Sequence, residues 1–300
     1  MHKKEITMKN VFLTLLSCVV MPLCALGNSA DNILVSISME QGPILPYEPF
    51  GVAVIVENQS GNDVERTAST WLTLRIRKDG SDDWQVYMPY GPLPTPMPPQ
   101  KRILHPGERY QDVCLIHVNA MGRHVFSDPG AFIIQAGTPF GESDPVKISV
   151  QLPESEVAAS AALGEEKIFM YFSEYTTQAL RYRPGYDASK AIDAINAFAG
   201  KFPESRYNAW ARLGLFFAKQ RMFENEDISK GHEMLAEIKN NSTLLPPVPR
   251  GHMLISMATL AQKMAAKSEV AWALNEIEST HTNGYFNVLA KYLFQQYGTP

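Results

Sequence analysis

Two patterns of hydrophobic and polar positions divide the chain near Leu152. Before this point, apolar and polar residues alternate with a period of two, most clearly in 72–77 and 146–151. After it, apolar residues recur at three- and four-residue spacing. The first pattern is typical of a strand with one buried face, and the second of an amphipathic helix. The chain is therefore expected to hold a β domain over 31–152 and an α-helical domain over 153–300.

Short strands are expected throughout the first domain, with no helical pattern between them. Asp79-Gly80 lies between two of them and favours a hairpin turn. Many short strands separated by turn residues are typical of an antiparallel β-sandwich. The strand stretches are Ile33 to Met39, Val52 to Glu57, 72–77, Trp84 to Met88, Tyr110 to Val118, Phe132 to Ala136 and 146–151.

Two Pro-Gly stretches in this domain resemble a known layout. "LHPGERY" at 104–110 and "DPGAFIIQA" at 128–136 are similar to the segments that precede late strands in extracellular immunoglobulin-like modules. The resemblance implies an immunoglobulin-like sandwich. Modules of this shape include carbohydrate binders, adhesins, chaperones and proteinase inhibitors, so the resemblance chooses no function.

About seven helices are expected in the second domain. Asp187 is a plausible N-cap for one of them. The preceding linker, 153–166, is alanine-rich and is compatible with either a helix or a loose tether. The expected helices run near 168–179, 187–200, 206–220, 227–240, 250–266, 268–280 and 284–297.

One helical stretch, 202–217, resembles the junction of two tetratricopeptide repeats. Its W-x2-L-G-x2-F pattern matches the first helix of a repeat, and the residues upstream match the second helix and final turn of the preceding one. A plain helical bundle needs the same apolar faces and is the alternative. The packing positions that the resemblance implies are Ala191, Ile195, Pro203, Trp210, Leu213, Gly214 and Phe217.

The same resemblance implies a groove for a partner. In the register set by the tryptophan, Asn208, Leu215 and Lys219 face the concave surface of the repeats. An asparagine and a lysine there are similar to the groups that hold a peptide backbone or carboxylate in such repeats. The alternative is that these three are ordinary solvated surface residues.

A proline-rich loop occupies 88–100, with prolines at six positions. This density excludes helix and central strand and favours an extended, stiff path. The loop is expected either to present Tyr87, Tyr90 and Leu93 to a partner or to act as a rigid connector packed on the protein.

The first thirty residues read as an export signal. Lysines at the start precede an uncharged run from Val11 to Leu26, and small or polar residues follow it. We expect cleavage near Ala30, which places the protein in a periplasm or outside the cell. A lipid anchor on Cys18 is the alternative, because Leu15-Leu16-Ser17-Cys18 is similar to a lipobox.

Removal of the signal changes the charge and the cysteine count. It leaves 24 basic and 30 acidic residues, a net charge of −6, without a basic cluster. Nucleic acid and anionic membrane surfaces are therefore not expected as partners. Cys114 is then the one cysteine that remains, so no internal disulfide is expected. Its place in an alternating strand indicates a buried thiol.

No catalytic, metal or cofactor motif is present in the sequence. The seven histidines include no metal-binding pair, and neither a nucleophile elbow nor a phosphate loop occurs. The leading hypothesis is an exported, non-enzymatic binding or scaffold protein with a protein or peptide partner. The alternatives are a sandwich that binds glycan or inhibits a proteinase through loop 88–100, and an enzyme with an unrecognised site between the domains.

Overall fold

The computed structural model describes most of the chain after the expected signal. The described residues are 32–39, 43–88, 98–181, 185–223, 236, 239–240, 242, 245–263, 265–281 and 284–297. The expected signal peptide, Cys18, Tyr90, Leu93 and most of the expected helix 227–240 lie outside them. Residues 31–300 form one compact unit. Within it we distinguish a strand region, 32–150, from a helical region, 154–297.

The strand region holds antiparallel sheets. Among the described residues, one sheet has the order β1-β2-β7, a second has the order β10-β8-β4-β5 with β9 beside β8, and β3 pairs with β6. The strands are β1 Ile33–Met39, β2 Phe50–Asn58, β3 Val64–Ala68, β4 Thr73–Lys78, β5 Gln85–Val86, β6 Gln100–Leu104, β7 Arg109–Ile116, β8 Gly130–Thr138, β9 Gly141–Glu142 and β10 Val146–Val150.

All seven expected strand stretches contain a strand, although 84–88 keeps only the two residues of β5. The hairpin at Asp79-Gly80 is confirmed, since β4 pairs with β5 and Gly80 has φ of +82°. A left-handed backbone of this kind favours glycine. Strands β3 and β6 were not expected, because each buries only one of its five side chains and shows no clear alternation.

The two larger sheets share one apolar core. Strands β1, β2 and β7 supply it from one sheet, β4, β8 and β10 supply it from the other, and the β3–β6 pair adds Val64 and Leu104. Burying each such side chain stabilises the fold by about 1.5–3 kcal/mol relative to exposure. Central members of this core are Val52, Val54, Val56, Leu74, Ile76, Ile134, Ala136 and Val150.

The helical region follows four residues after β10. Helix α3 packs on α4, α5 on α6, and α6 on α7. None of the helices in the described part of the chain is long and apolar enough to cross a membrane. The helices are α1 Val157–Glu166, α2 Glu174–Arg181, α3 Ala188–Lys201, α4 Tyr207–Phe223, α5 Pro247–Lys263, α6 Lys267–Thr280 and α7 Tyr285–Tyr297, with short 3₁₀ turns at Glu154–Glu156 and Ile168–Tyr171.

The linker is a docked helix and not a tether. It forms α1, which buries Ala159, Ala162 and Leu163. Lys167 then adopts a left-handed conformation with φ of 55°. The helix expected over 168–179 is divided into a 3₁₀ turn, Ile168–Tyr171, and α2. Further on, the N-cap role of Asp187 is confirmed, because its carboxylate accepts the backbone N–H groups of Ser189 and Lys190.

The strand and helical regions share a second core, which we call the seam. It joins Leu45 and Val118 of the strand region to buried side chains of α1, α2, α4, α5, α6 and α7. At its centre the ring of Tyr285 lies directly on β2, where a Cβ on Gly51 would overlap the ring atoms. Strand β2 is therefore covered on both faces, by the opposite sheet and by α7.

Candidate functional site: a cavity at the seam

A cavity of about 430 Å³ lies at the seam. This volume is within the range of roughly 300–1,000 Å³ found for small-molecule sites. Strand β7 forms one wall, and α2, α4, α5 and α7 form the others. The lining residues are Tyr87, Val113, Cys114, Leu115, His117, Val118, Ser173, Thr176, Phe217, His252, Ile255, Ser256 and Tyr285.

Tyr87 covers the open edge of the wall formed by β7. Strand β7 is an edge strand of its sheet, so part of its backbone lacks a neighbouring strand. The Tyr87 hydroxyl donates toward the Leu115 carbonyl at 3.0 Å and accepts the His117 N–H at 3.1 Å. Two alternatives were expected for this residue and the proline-rich loop: presentation to a partner, or packing on the protein as part of a rigid connector. The structure places it against β7 as part of the cavity wall.

A hydrogen-bonded network joins His117 to the start of α2. Nδ1 of His117 lies 3.2 Å from the Ser173 hydroxyl and 3.1 Å from the Thr176 hydroxyl. The two hydroxyls are 2.8 Å apart, and Ser173 Oγ also accepts the Thr176 N–H at 3.2 Å. All three side chains are buried. The network thus caps the first turn of α2 and holds it to the strand region.

Serine beside histidine is also the pairing used in acyl transfer, so its chemistry has to be weighed. A serine nucleophile needs a histidine that a third group orients. Here no carboxylate within the described residues hydrogen-bonds His117, and the Ser173 hydroxyl is already engaged with Thr176. The geometry supports a structural cap at the start of α2.

Burial keeps the histidines at the seam neutral. Loss of hydration lowers the pKa of His117 well below its usual 6.5, and the neighbouring His124 and His252 lower it further. Burial also lowers the pKa of His124 to about 3. The His117 and His124 rings meet edge to face, with centroids 4.9 Å apart. These imidazoles therefore supply polar atoms to the seam without supplying charge.

His252 approaches the cavity from α5, among aromatic rings. Its ring centroid lies 5.5 Å from Trp210 and 4.9 Å from Phe286. Burial, aided by the nearby His281, lowers the pKa of His252 to about 3. Its Nε2 is buried and has no hydrogen-bond partner among the described residues. This atom is an unsatisfied polar group in the wall of the cavity.

The described lining of the cavity is uncharged at neutral pH. Burial, with a smaller effect from Asp112, raises the pKa of the Cys114 thiol to about 12, so this sulfur stays protonated. The remaining polar groups are hydroxyls and neutral imidazoles. Among the residues that the structure describes, no cluster of three or more His, Cys, Asp or Glu side chains could hold a metal ion. The cavity is suited to a neutral molecule.

Trp210 has a polar role at the seam beside its role in packing. Its indole N–H donates to Glu48 Oε1 at 2.9 Å, and the backbone N–H of Leu45 donates to Oε2 of the same carboxylate at 2.7 Å. Burial raises the pKa of Glu48 despite these donors and the Arg206 guanidinium 4.0 Å away. The sequence pattern marked Trp210 for packing and missed Glu48, which follows a Pro-Tyr pair without any periodicity.

The other expected packing positions lie around Gly214. A Cβ there would stand 3.2 Å from the Tyr171 carbonyl and 3.6 Å from Ile195 Cδ1, so α4 approaches its neighbours closely at this residue. Pro203 is exposed between α3 and α4. Four expected positions are buried: Ala191, Ile195, Leu213 and Phe217.

The residues expected in a groove are not brought to the cavity. The Asn208 amide donates to the Pro203 carbonyl at 2.9 Å and closes the turn before α4. Leu215 packs half-buried against the seam, and Lys219 is half-buried. Of the three loop residues, Tyr87 lines the cavity, whereas Tyr90 and Leu93 lie outside the described residues.

No protein-family model matches the chain, and no curated protein matches it. Among solved structures, a β-glucosidase from Erythrobacter marinus aligns with 40% of this chain and 15% of its own, at 18% identity and a TM-score of 0.26. A β-glucosidase from Listeria innocua aligns with 40% of this chain and 16% of its own, at 14% identity and a TM-score of 0.26. An alkylpurine DNA glycosylase from Pseudomonas fluorescens, bound to DNA with an abasic site analog, aligns with 40% of this chain and 30% of its own. Its identity is 9% and its TM-score is 0.28.

The chain thus spans about a sixth of the length of these β-glucosidases. Likenesses at such TM-scores carry neither a fold nor an activity to this protein.

Proposed function

We propose that this protein is an exported, non-enzymatic binding protein whose cavity at the seam holds a small, uncharged and mainly apolar molecule. The observation that carries the proposal is the neutral lining of a cavity of about 430 Å³. Apolar side chains from β7, α4 and α5 provide most of the contact, and a few hydroxyls and imidazoles provide direction. This combination is typical of small-molecule binding sites.

The lining argues against a charged ligand. An ion that leaves water for an apolar site has to be paired, because an unpaired buried charge costs several kcal/mol or more. The described lining offers no opposite charge, since its thiol is protonated and its histidines are neutral. A neutral molecule avoids this cost.

Two fluorescent probes test the proposal on the full mature protein. N-phenyl-1-naphthylamine is neutral, and 8-anilinonaphthalene-1-sulfonate has the same ring system with a sulfonate added. We expect saturable binding of the neutral probe, with an affinity at least about tenfold higher than that of the sulfonate, which corresponds to about 1.4 kcal/mol. Absence of neutral-probe binding, or stronger binding of the sulfonate, would contradict the proposal.

A matched pair of variants places the binding. Ile255→Trp adds a bulky ring to a residue that lines the cavity, and Ile103→Trp makes the same change on an exposed strand position. We expect the first variant to lose the neutral probe and the second to keep it. Retained binding in a folded Ile255→Trp variant would move the probe to another site.

A finer fold assignment belongs with this proposal. The strand region is an immunoglobulin-like sandwich, as supported by two antiparallel sheets around one core. The helical region is tetratricopeptide-like, as supported by the close approach at Gly214 and the buried Trp210. A nuclear magnetic resonance or crystal structure that showed a different strand order, or a helix pairing unlike α3 on α4, would contradict it.

A protein partner is the second candidate, because apolar side chains are exposed beside the proline-rich loop. Val86 and Met88 are 52% and 53% exposed, and Met121 is 81% exposed. The Ala120 N–H donates to the Met88 carbonyl at 2.8 Å, so the two methionine segments are adjacent. Cross-linking mass spectrometry on the native envelope or secreted fraction tests this candidate. Met88→Lys with Met121→Lys should remove its cross-links, and unchanged cross-links would contradict it.

A further inference from the structure

Two walls of the cavity each carry a buried imidazole with an unsatisfied nitrogen, His117 beside β7 and His252 on α5. On the wall of β7 and α2, the hydroxyls of Ser173 and Thr176 satisfy Nδ1 of His117. On the wall of α5, His252 is buried at 7% exposure, and its Nε2 has no hydrogen-bond partner in the described part of the chain. Nε2 of His117 also lacks a partner there, but His117 is tied to α2 through Nδ1, whereas the ring of His252 is surrounded by aromatic side chains.

A buried polar group left without a hydrogen bond destabilises the fold, so it needs an explanation. Packing alone does not require an imidazole here. The neighbours of the His252 ring are Trp210, Tyr285 and Phe286, among which a phenyl ring would pack without an unsatisfied nitrogen. The position of His252 in the lining of the cavity suggests that the missing partner is the ligand.

We propose that His252 selects ligands that carry a hydroxyl group, which hydrogen-bonds to its imidazole while the apolar body of the molecule fills the rest of the cavity. This inference rests on the proposed binding function of the same cavity. A hydroxyl both donates and accepts, so it pairs with a neutral imidazole in either tautomer. The ligand class is therefore an apolar alcohol or phenol without charge.

The surroundings of His252 support this choice. Ser256 lies one helical turn further along α5 and also lines the cavity, so a polar strip on one side of this helix faces the apolar residues of β7. The imidazole stays neutral, because its pKa is lowered to about 3 by burial. A carboxylate would find no charged partner at this strip, in contrast to an alcohol.

Three small probes test the inference by calorimetry or by displacement of N-phenyl-1-naphthylamine from the full mature protein. Naphthalene lacks a polar group, 1-methoxynaphthalene accepts only, and 1-naphthol donates and accepts. We expect 1-naphthol to bind about tenfold more tightly than naphthalene, in line with about 1.4 kcal/mol for one hydrogen bond. A methoxy compound as tight as the naphthol would show that the imidazole acts as donor alone.

His252→Phe and His105→Phe form the matched pair of variants. The first removes the imidazole from the cavity, and the second makes the same change at an exposed position on the strand region. We expect His252→Phe to bind naphthalene as the wild type does and to lose the preference for 1-naphthol. The control variant should keep that preference. If His252→Phe does not fold, His252→Gln, which retains a donor and an acceptor, should keep it in part.

The outcomes separate this inference from the proposed function. Equal binding of naphthalene and 1-naphthol by the wild type would overturn the role of His252 and leave the cavity as the binding site. An unchanged preference in His252→Phe would also overturn it. Failure of every neutral probe to bind would overturn the proposed function itself.

Discussion

The core between the sheets and the core at the seam differ in the kinds of side chains that they bury. The first consists of apolar side chains, which come mainly from β1, β2, β4, β8 and β10. The second combines apolar side chains with a buried carboxylate, buried histidines and a cavity, as in the Glu48–Trp210 hydrogen bond and the His117 network. A core made of apolar side chains holds a fold together, whereas a core that also contains specific polar pairs fixes the relative position of two regions.

Strand β2 belongs to both cores and shows how the seam is built. Its valines on one face enter the core between the sheets, and Gly51 on its other side admits the ring of Tyr285. The run "FGVAVIVEN" is almost continuously apolar, which is typical of a strand that is covered on both faces. The apolar run therefore indicates that both faces of β2 are covered, although it does not identify α7 as the element that covers the second face.

The largest expected effect comes from breaking the seam at Trp210. Replacing Trp210 by Ala removes a fully buried indole and leaves Oε1 of Glu48 without its indole donor, so we expect a loss of about 3–5 kcal/mol in the free energy of unfolding. Urea denaturation followed by far-ultraviolet circular dichroism measures this loss. Trp210→Phe, which keeps a ring but not the N–H, should lose about 1–3 kcal/mol. A loss below about 1 kcal/mol for the alanine variant would show that the pair contributes little.

Acid should weaken the seam more than the core between the sheets, because the buried histidines whose pKa is lowered all lie at the seam in the part of the chain that the structure describes. Folded His124 and His252 have pKa values of about 3, against a usual 6.5. As pH falls below about 6.5, the unfolded chain takes up protons that the folded chain does not. Stability therefore falls by up to about 1.4 kcal/mol per pH unit for each histidine until pH nears 3.

Denaturation curves measured from pH 7.5 to 4.5 check this expectation. His124→Asn keeps an acceptor near Nδ1, which accepts the Phe126 N–H at 3.0 Å, and removes the titration. For this variant, the free energy of unfolding should change less steeply with pH than for the wild type, by the contribution of one histidine. Equal slopes would contradict the assignment of a lowered pKa to His124. Glu48 acts in the opposite direction, since its raised pKa makes its contribution fade as pH rises.

A smaller effect on stability is expected from a pair of glycine substitutions, one on β2 under the ring of Tyr285 and one at an open surface position. Gly51→Ala places a methyl group into the ring of Tyr285, and overpacking of this kind costs about 1–3 kcal/mol. Gly61→Ala meets no atom within 4 Å and should change stability by no more than about 0.5 kcal/mol. Thermal unfolding of the two variants compares them. Equal effects would mean that α7 does not lie on β2.

The smallest expected effect is that the Ser173 hydroxyl does not react with a serine-directed reagent. Because its hydroxyl is engaged with Thr176 and His117, we expect no labelling by a fluorophosphonate probe at neutral pH. Mass spectrometry of the treated protein, with a known serine hydrolase as positive control, checks this. Stoichiometric labelling of Ser173 would restore the enzyme alternative and turn the seam from a binding site into a catalytic one.

The regular elements were accessible from sequence, because their hydrophobic periods are local properties. Alternation located the strands that bury one face, and the helical period located α3 and α4 with the Asp187 cap. The seam was not accessible in this way. Glu48 and Trp210 are 162 positions apart, and no local pattern pairs them. No local pattern singles out His252 among the polar residues of α5, and only the fold brings it to the cavity beside β7.

The most direct test of the account is an isotope-filtered nuclear Overhauser experiment on methyl-labelled protein saturated with N-phenyl-1-naphthylamine. We expect contacts from the probe to the methyl groups of Ile255, Val113 and Leu115, which line the cavity from opposite walls. Contacts confined to the exposed Val86 and Ile103, or no contacts at saturation, would contradict the claim that the seam is the binding site.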